Sequence, residues 1–510
     1  MAMRDGVVAW LGSDDVGRGQ FPDAEVVDLA GGFVAPGFVD SHIHVTATGL
    51  TLAGLDLRAA ASRRQCVRLV ADYAAAHPVG PVFGHGWDES CWPDATPPST
   101  DELDAVLGDR PAYLTRIDLH SALASSGLRR RVPTPAAAAG VAGQRPLTGD
   151  AHHLVRAAAH DLLTGDQRAA ARAAALDAAA AAGVVAVHEC AGPDIGGPGD
   201  WQDLRGLDHG VEVIGYWGQA VTTPAQARAL LDATGAAGLA GDLCVDGSLG
   251  SHSAWLREPY ADAPGHVGSC HLDRDAVAAH LRACTAAGVT AGFHVIGDAA
   301  VTAAVDAFEQ VVDELGVAAV ARCGHRLEHL EMVSADQAAK LGAWGVIASV
   351  QPTFDALWGG EDGLYARRLG VERGRGLNPL ALLASHGVPL AFGSDAPVTG
   401  IDPWGSVRAA ANHRTPGSAL AMRAAFAAAT RGGWRAAGVR DGVTGTLAPG
   451  APASYAVWDV GELAVDAPRD AVQRWSTDPR SRVPPLPRLG PADPAPRCRR
   501  TVHRGVVIHG

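Results

Sequence analysis

From about residue 181 onward the chain repeats one unit: an alanine-rich stretch, a glycine, and a short apolar run. Ala180-Ala181-Ala182-Gly183 precedes the run 184–189, and Thr285-Ala286-Ala287-Gly288 precedes 289–296. A helix stopped by glycine and followed by a short buried strand is the sequence form of a right-handed strand–helix repeat with a parallel sheet. Strands are expected near 33–44, 184–189, 212–217, 241–248, 290–296, 325–331, 346–351 and 389–395. Eight such strands close a (β/α)8 barrel, whose active site lies at the C-terminal strand ends. The expected fold class is therefore α/β, a TIM-like barrel.

Two regions break the rhythm. A long insertion, about 50–165, follows the first strand, and a segment of that length at a catalytic face is usually a lid or recognition subdomain. Short strand-like runs near both termini predict a small composite β domain from 1–35 and 441–510, leaving 36–440 for the barrel and its insertion. Residues 479–497, rich in Pro and Arg, read as an irregular surface segment. A length of 510 residues suits this arrangement. The net charge of −13 argues against nucleic acid or an anionic membrane as a partner. The N-terminus lacks an apolar signal core, and no stretch reaches the roughly 20 apolar residues of a membrane span. A cytoplasmic protein with a small-molecule substrate is expected, with a homo-oligomer open. The eight cysteines are scattered without a C-x-x-C pair, so neither a disulfide framework nor a zinc finger is indicated.

The chemistry sits in Pro36-Gly37-Phe38-Val39-Asp40-Ser41-His42-Ile43-His44, where an apolar run ends in two histidines on one strand face. Packing a core does not ask for two imidazoles there, whereas a divalent metal does. In a chain with 21 histidines such a pair arises by chance, so the case rests on partners downstream. They appear at other strand ends: His294 in Gly292-Phe293-His294, His329 in Arg326-Leu327-Glu328-His329, and Asp395 in Phe392-Gly393-Ser394-Asp395.

These stretches resemble the amidohydrolase superfamily, and within it the amidohydrolase-3 branch of YtcJ-like metal-dependent hydrolases. The matching motifs are PGFVDSHIH at 36–44, GWDESCWP at 86–93, RIDLHSA at 116–122, DGSLGS at 246–251, HVIGD at 294–298, RLEH at 326–329, FGSDAPV at 392–398 and GTLAPGAPASYAVWD at 445–459. The resemblance implies that His42, His44, His294 and His329 are metal ligands, and that Asp395 is a ligand that doubles as general base. A divalent ion, zinc first, is the implied cofactor. Many relatives carry a carbamylated lysine bridging two metals four residues before the Asp-Gly of the fourth strand, where this chain has Asp242. Lys340, the single lysine, reads as part of a solvent-facing helix. Asp242, Cys244 and Asp246 share one strand face, so each is able to point inward; Asp242 is a candidate bridge, although its depth and short side chain count against it. Cys244 one pleat higher is a further candidate bridge, although a buried inert cysteine is the commoner case, and His153 stands where relatives often have glutamate. One ion is therefore favoured over two.

Arg116, Asp118 and His120 share a strand face by alternation and are expected to bind substrate, with Trp87 and Asp88 lining the same pocket. His252 stands where relatives often show arginine, which predicts altered recognition of a substrate oxygen or carboxylate. Of His152 and His153, at most one is expected to contribute, since adjacent helical residues diverge by about 100°. His188 is expected behind the ligands. The function implied is metal-dependent hydrolysis of a non-peptide C–N bond in an amide, N-acyl amine or formamide. The alternatives are hydrolysis of a lactone or other ester, or a silent binding protein.

Overall fold

The computed structural model describes residues 1–132, 146–464 and 484–510. Seven short strands fall where the apolar runs predict them, in two parallel sheets. Phe38–Ile43, Val184–Ala191 and Glu212–Trp217 form one; Gly292–Val295, Arg326–His329, Ile347–Val350 and Leu390–Phe392 form the other. The sheets are linked along one side by isolated parallel bridges Tyr216 to Gly238, Leu239 to Ala291 and Cys244 to His294, and along the other by Ile43 to Ala396. Nearly every residue of these strands is buried, as a parallel sheet covered by helices requires.

The glycine stops act as the repeat suggests. Asp273 caps the helix Arg274–Ala287 through the Ala276 N–H, and Gly288 ends it at φ 74°, a left-handed conformation that a side chain resists. Ser334 and Gln337 form a capping box for Ala335–Trp344, which carries Lys340 to the surface beside Glu309 (2.6 Å).

Two expected strands differ. The run 33–44 is two strands, because Gly37 lies against Val185 with no room for a side chain and its N–H donates to the Ser454 carbonyl. Phe33–Pro36 instead joins Tyr455–Asp459, Arg497–His503 and Val506–His509 in an antiparallel sheet drawn from both ends of the chain. Phe38, Trp404, Phe426 and Trp458 pack edge to face and stacked where this sheet meets the parallel strands. The run 241–248 makes only bridges. The Asp246 carboxylate accepts the N–H groups of Trp255, Ile296 and Gly297, which holds this stretch as a loop.

The insertion has its own sheet, ordered Leu55–Asp56, Val82–Trp87, Ala112–Arg116, Ser121–Ala124 and Leu147–Thr148, with a separate core around Leu57, Val70, Leu103 and Leu114. In the described part of 479–497, Leu486 and Leu489 are buried against the main core; residues 479–483 lie outside the described residues. Among the described residues no helix is long and apolar enough to cross a membrane.

Candidate metal centre

The His42 strand is latched to its neighbour at the site itself. Asp395 N–H donates to the His42 carbonyl (2.7 Å) and His44 N–H to the Ala396 carbonyl (2.9 Å), so Asp395 is delivered beside both histidines. Asp395 and His329 both have left-handed backbones, φ 54° and 67°. Strain of this kind persists only where the surroundings hold it, and it gathers at functional sites.

Four imidazoles and two carboxylates converge. His42 Nε2 lies 3.4 Å from Asp242 Oδ1 and 3.5 Å from Asp395 Oδ1. His44 Nε2 lies 3.1 Å from Asp242 Oδ2 and 3.4 Å from Asp395 Oδ1. His294 Nδ1 and His329 Nε2 approach Asp242 Oδ1 at 3.6 and 3.8 Å. Asp242, whose depth and short side chain counted against it, is thus the group that all four histidines face. Its reach has a backbone cause: Gly241 at φ 83° packs against Cys190, and the irregular stretch carries the short side chain into the cluster.

Buried polar atoms normally have partners, yet His42 Nε2, Asp242 Oδ1 and His294 Nδ1 have no hydrogen bond. They point into the same small volume. His42, His44 and Asp242, His42, His329 and Asp395, and Asp242, His294 and His329 each bring donor atoms within 4.8 Å of one another, a spacing that suits one cation per group. The nitrogen and oxygen donor set fits a divalent ion such as zinc. Electrostatics agree. Burial opposes charging His44, but hydrogen bonds and attraction from Asp242 and Asp395 raise its pKa to about 10. Burial likewise favours a neutral Asp395, yet His42, His44 and His329 hold its carboxyl below the usual range. Carboxylates that attract a proton this strongly attract a metal cation for the same reason.

Behind the cluster lies a layer that sets ring orientation. Glu328 Oε2 accepts from His42 Nδ1 at 2.8 Å, and Gln351 Oε1 from His329 Nδ1 at 2.8 Å, which leaves each Nε2 free to face the cluster. Glu328 is paired with the fully buried Arg326, which also donates to the Ser41 carbonyl, Ser349 Oγ and His188 Nδ1. His188 therefore stands behind the donor cluster, through Arg326. Glu328, Gln351 and Cys190, whose Sγ is 3.4 Å from His42 Nδ1, were not anticipated. Glu328 was hidden by alternation, since residues 328 and 329 reach one site only because the backbone turns at His329.

The cluster opens into a cavity of about 710 Å3 walled by strand ends and by the insertion. Asp118 and His120 line it, and the His120 ring is 5.0 Å from that of His294. Both His152 and His153 line it, although His152 is fixed to the Tyr113 hydroxyl (2.7 Å) and His153 stands apart from the donor cluster. Cys244 lines it too, and in the absence of a cation burial and the neighbouring Asp242 and Asp246 push its thiol well above the usual range.

Three of the residues expected to bind substrate do not line the main cavity. Arg116 is ion-paired to Asp88, Glu89 and Asp118 (2.6, 2.9 and 3.0 Å) and borders only a small annex of about 30 Å3. Trp87 is 1% exposed, with its indole N–H donated to the Leu114 carbonyl, and does not line the main cavity. His252, turned by φ 55°, pairs with Asp262 at 3.0 Å outside it.

Parallel strands ending in imidazole and carboxylate donors beneath a cavity define the class: a metal-dependent hydrolase. The chain belongs to the Amidohydrolase family, whose model matches residues 25–509. It is 29% identical over 505 residues to Protein LONG AFTER FAR-RED 3 of Arabidopsis thaliana, covering 90% of this chain and 84% of the relative. It is 26% identical over 450 residues to the putative amidohydrolase YtcJ of Bacillus subtilis, covering 80% and 79%. Its fold is similar to the crystal structure of an uncharacterized metal-dependent hydrolase from Pyrococcus horikoshii, with a TM-score of 0.69 and 25% identity over 90% of this chain and 93% of that one. The amidohydrolase resemblance read from the motifs holds.

Proposed function

We propose that the protein hydrolyses a non-peptide C–N bond in a small amide, N-acyl amine or formamide. The reading is carried by the convergence of His42, His44, His294, His329, Asp242 and Asp395 on one point beneath the cavity. These residues would hold a divalent ion, zinc first, which when bound would supply Lewis acidity and a water with a pKa lowered to about 7. Asp395, whose Oδ1 lies 3.5 and 3.4 Å from the His42 and His44 rings, accepts the water proton and returns it to the leaving nitrogen. Glu328 and Gln351 keep His42 and His329 in the tautomers that the site needs. The expectation of one ion rested on the loss of a bridging lysine. Asp242 stands at that place with Oδ2 towards His44 and Oδ1 towards His42, His294 and His329, so with Asp395 these residues would offer enough donors to hold two ions rather than one.

The same reading takes the two parallel sheets and their bridges as one (β/α)8 barrel over 36–440, with 1–35 and 441–510 as a composite β domain. The test is a kinetic panel of matched amides and esters with zinc- and manganese-loaded protein. Turnover of amides is the expected result; turnover confined to esters or lactones, or none at all, would displace the reading.

A further inference from the structure

Every buried guanidinium near the cavity has carboxylate partners: Arg116 three, Arg368 Glu89 and Asp262, Arg326 Glu328. Arg156 differs. It is the one Arg or Lys among the described residues that line the 710 Å3 cavity, and among the described residues no carboxylate lies within ion-pair distance of it. Its donors rest on neutral acceptors at long range: the Asp194 and Leu119 carbonyls at 3.2 Å, the Tyr113 hydroxyl at 3.4 Å and His152 Nδ1 at 3.5 Å. Asp150 and Asp194 line the same cavity without an ion pair to it.

The placement is suited to a substrate. His152, Arg156 and His160 follow one another at intervals of four on the helix Gly149–His160, so they share a face, and all three line the cavity. Leu119, whose carbonyl Arg156 touches, adjoins His120, whose ring lies against that of His294. A ligand reaching from the donor cluster past His120 therefore meets the guanidinium.

We propose that Arg156 is a specificity-determining residue that receives a carboxylate on the substrate, so that the preferred substrates are amides bearing a free carboxylate. A guanidinium presents paired donors in the geometry of a carboxylate, and the weak neutral contacts it now makes are readily exchanged. The reaction rests on the hydrolase reading above; the binding does not.

Two pairs of probes separate the claims. N-formylphenylalanine and N-formylphenethylamine differ only in the carboxylate, as do 3-phenylpropionate and 3-phenylpropanol in the carboxylate against an alcohol. The wild type should favour the carboxylate member of each pair by about 10- to 100-fold, in kcat/KM and in calorimetric binding. Arg156→Met should bring the ratio close to unity, and Arg156→Lys should restore part of it by keeping charge without the fork. Thermal melting of each variant checks the fold, with Arg156→Gln replacing Met if that variant is unfolded. No preference in the wild type, or the same preference in Arg156→Met, overturns the proposal; the latter would place the carboxylate elsewhere, for example on the metal. If neither formamide is hydrolysed, the formamide branch of the hydrolase reading fails while the calorimetric pair still decides for or against Arg156.

Discussion

Replacing Glu328 with Gln tests whether the layer behind the histidines tunes the metal or only fills space. Glu328 and Arg326 are both fully buried, and Glu328 is the carboxylate that neutralises Arg326. Breaking a buried ion pair from one side costs about 3–5 kcal/mol. Gln retains one acceptor oxygen, and Arg326 keeps the Ser41 carbonyl, Ser349 and His188, which places the loss near the lower end, about 3 kcal/mol. A second effect acts through the 2.8 Å contact to His42 Nδ1, because an amide oxygen is a weaker acceptor than a carboxylate. Losing such a partner lowers metal affinity by about 10- to 100-fold, or about 1.4–2.7 kcal/mol. Denaturant unfolding of metal-free protein reads the first effect, and competition against a chromophoric chelator reads the second. Destabilisation with metal affinity unchanged within about twofold would refute the tuning role and leave Glu328 as a counterion for Arg326. No change in either would refute the buried-pair argument.

Asp395→Asn should retain bound metal while turnover falls by about 10²- to 10⁴-fold, measured as kcat; unchanged turnover removes the general-base role. Gly49→Ala should destabilise by about 1–3 kcal/mol or more, because an added methyl would meet the Ala171 carbonyl at 1.8 Å where the helices Val45–Ala53 and Gly165–Ala181 cross. A denaturation midpoint equal to the wild type would contradict that packing. Stability should also fall as pH drops from about 6.5 towards 4, since burial pushes His280 down to about 4 and His325 to about 3 while the unfolded chain still takes up protons near 6.5. Each contributes a slope of up to about 1.4 kcal/mol per pH unit, present in full above the unfolded pKa and lost on acidification. The His280→Gln, His325→Gln double variant should show a shallower slope, and an equally steep one would count against the assignment.

His42, His44, His294, His329 and Asp395 were legible because each interrupts an apolar strand at its end, where packing offers no reason for a polar side chain. The parallel strands were legible from their glycine stops. What escaped were departures from regular backbone. Alternation placed Arg116, Asp118 and His120 on one face, but the strand ends at Arg116 and the chain turns at Leu119 with φ 57°, so Asp118 and His120 face the main cavity and Arg116 does not. Depth counted against Asp242 on the assumption of a regular strand that Gly241 breaks. Trp87 belongs to the insertion's own core, and no local pattern distinguishes an indole facing a cavity from one facing a sheet.

The most direct test of the account is the metal content of wild-type protein purified without chelator, beside Asp242→Ala. The wild type should carry about one equivalent of a divalent metal and approach two on adding zinc or manganese, while Asp242→Ala should hold markedly less. Less than about a tenth of an equivalent in the wild type, with no uptake from added zinc or manganese, would contradict the claim that these four histidines and two aspartates form a metal centre.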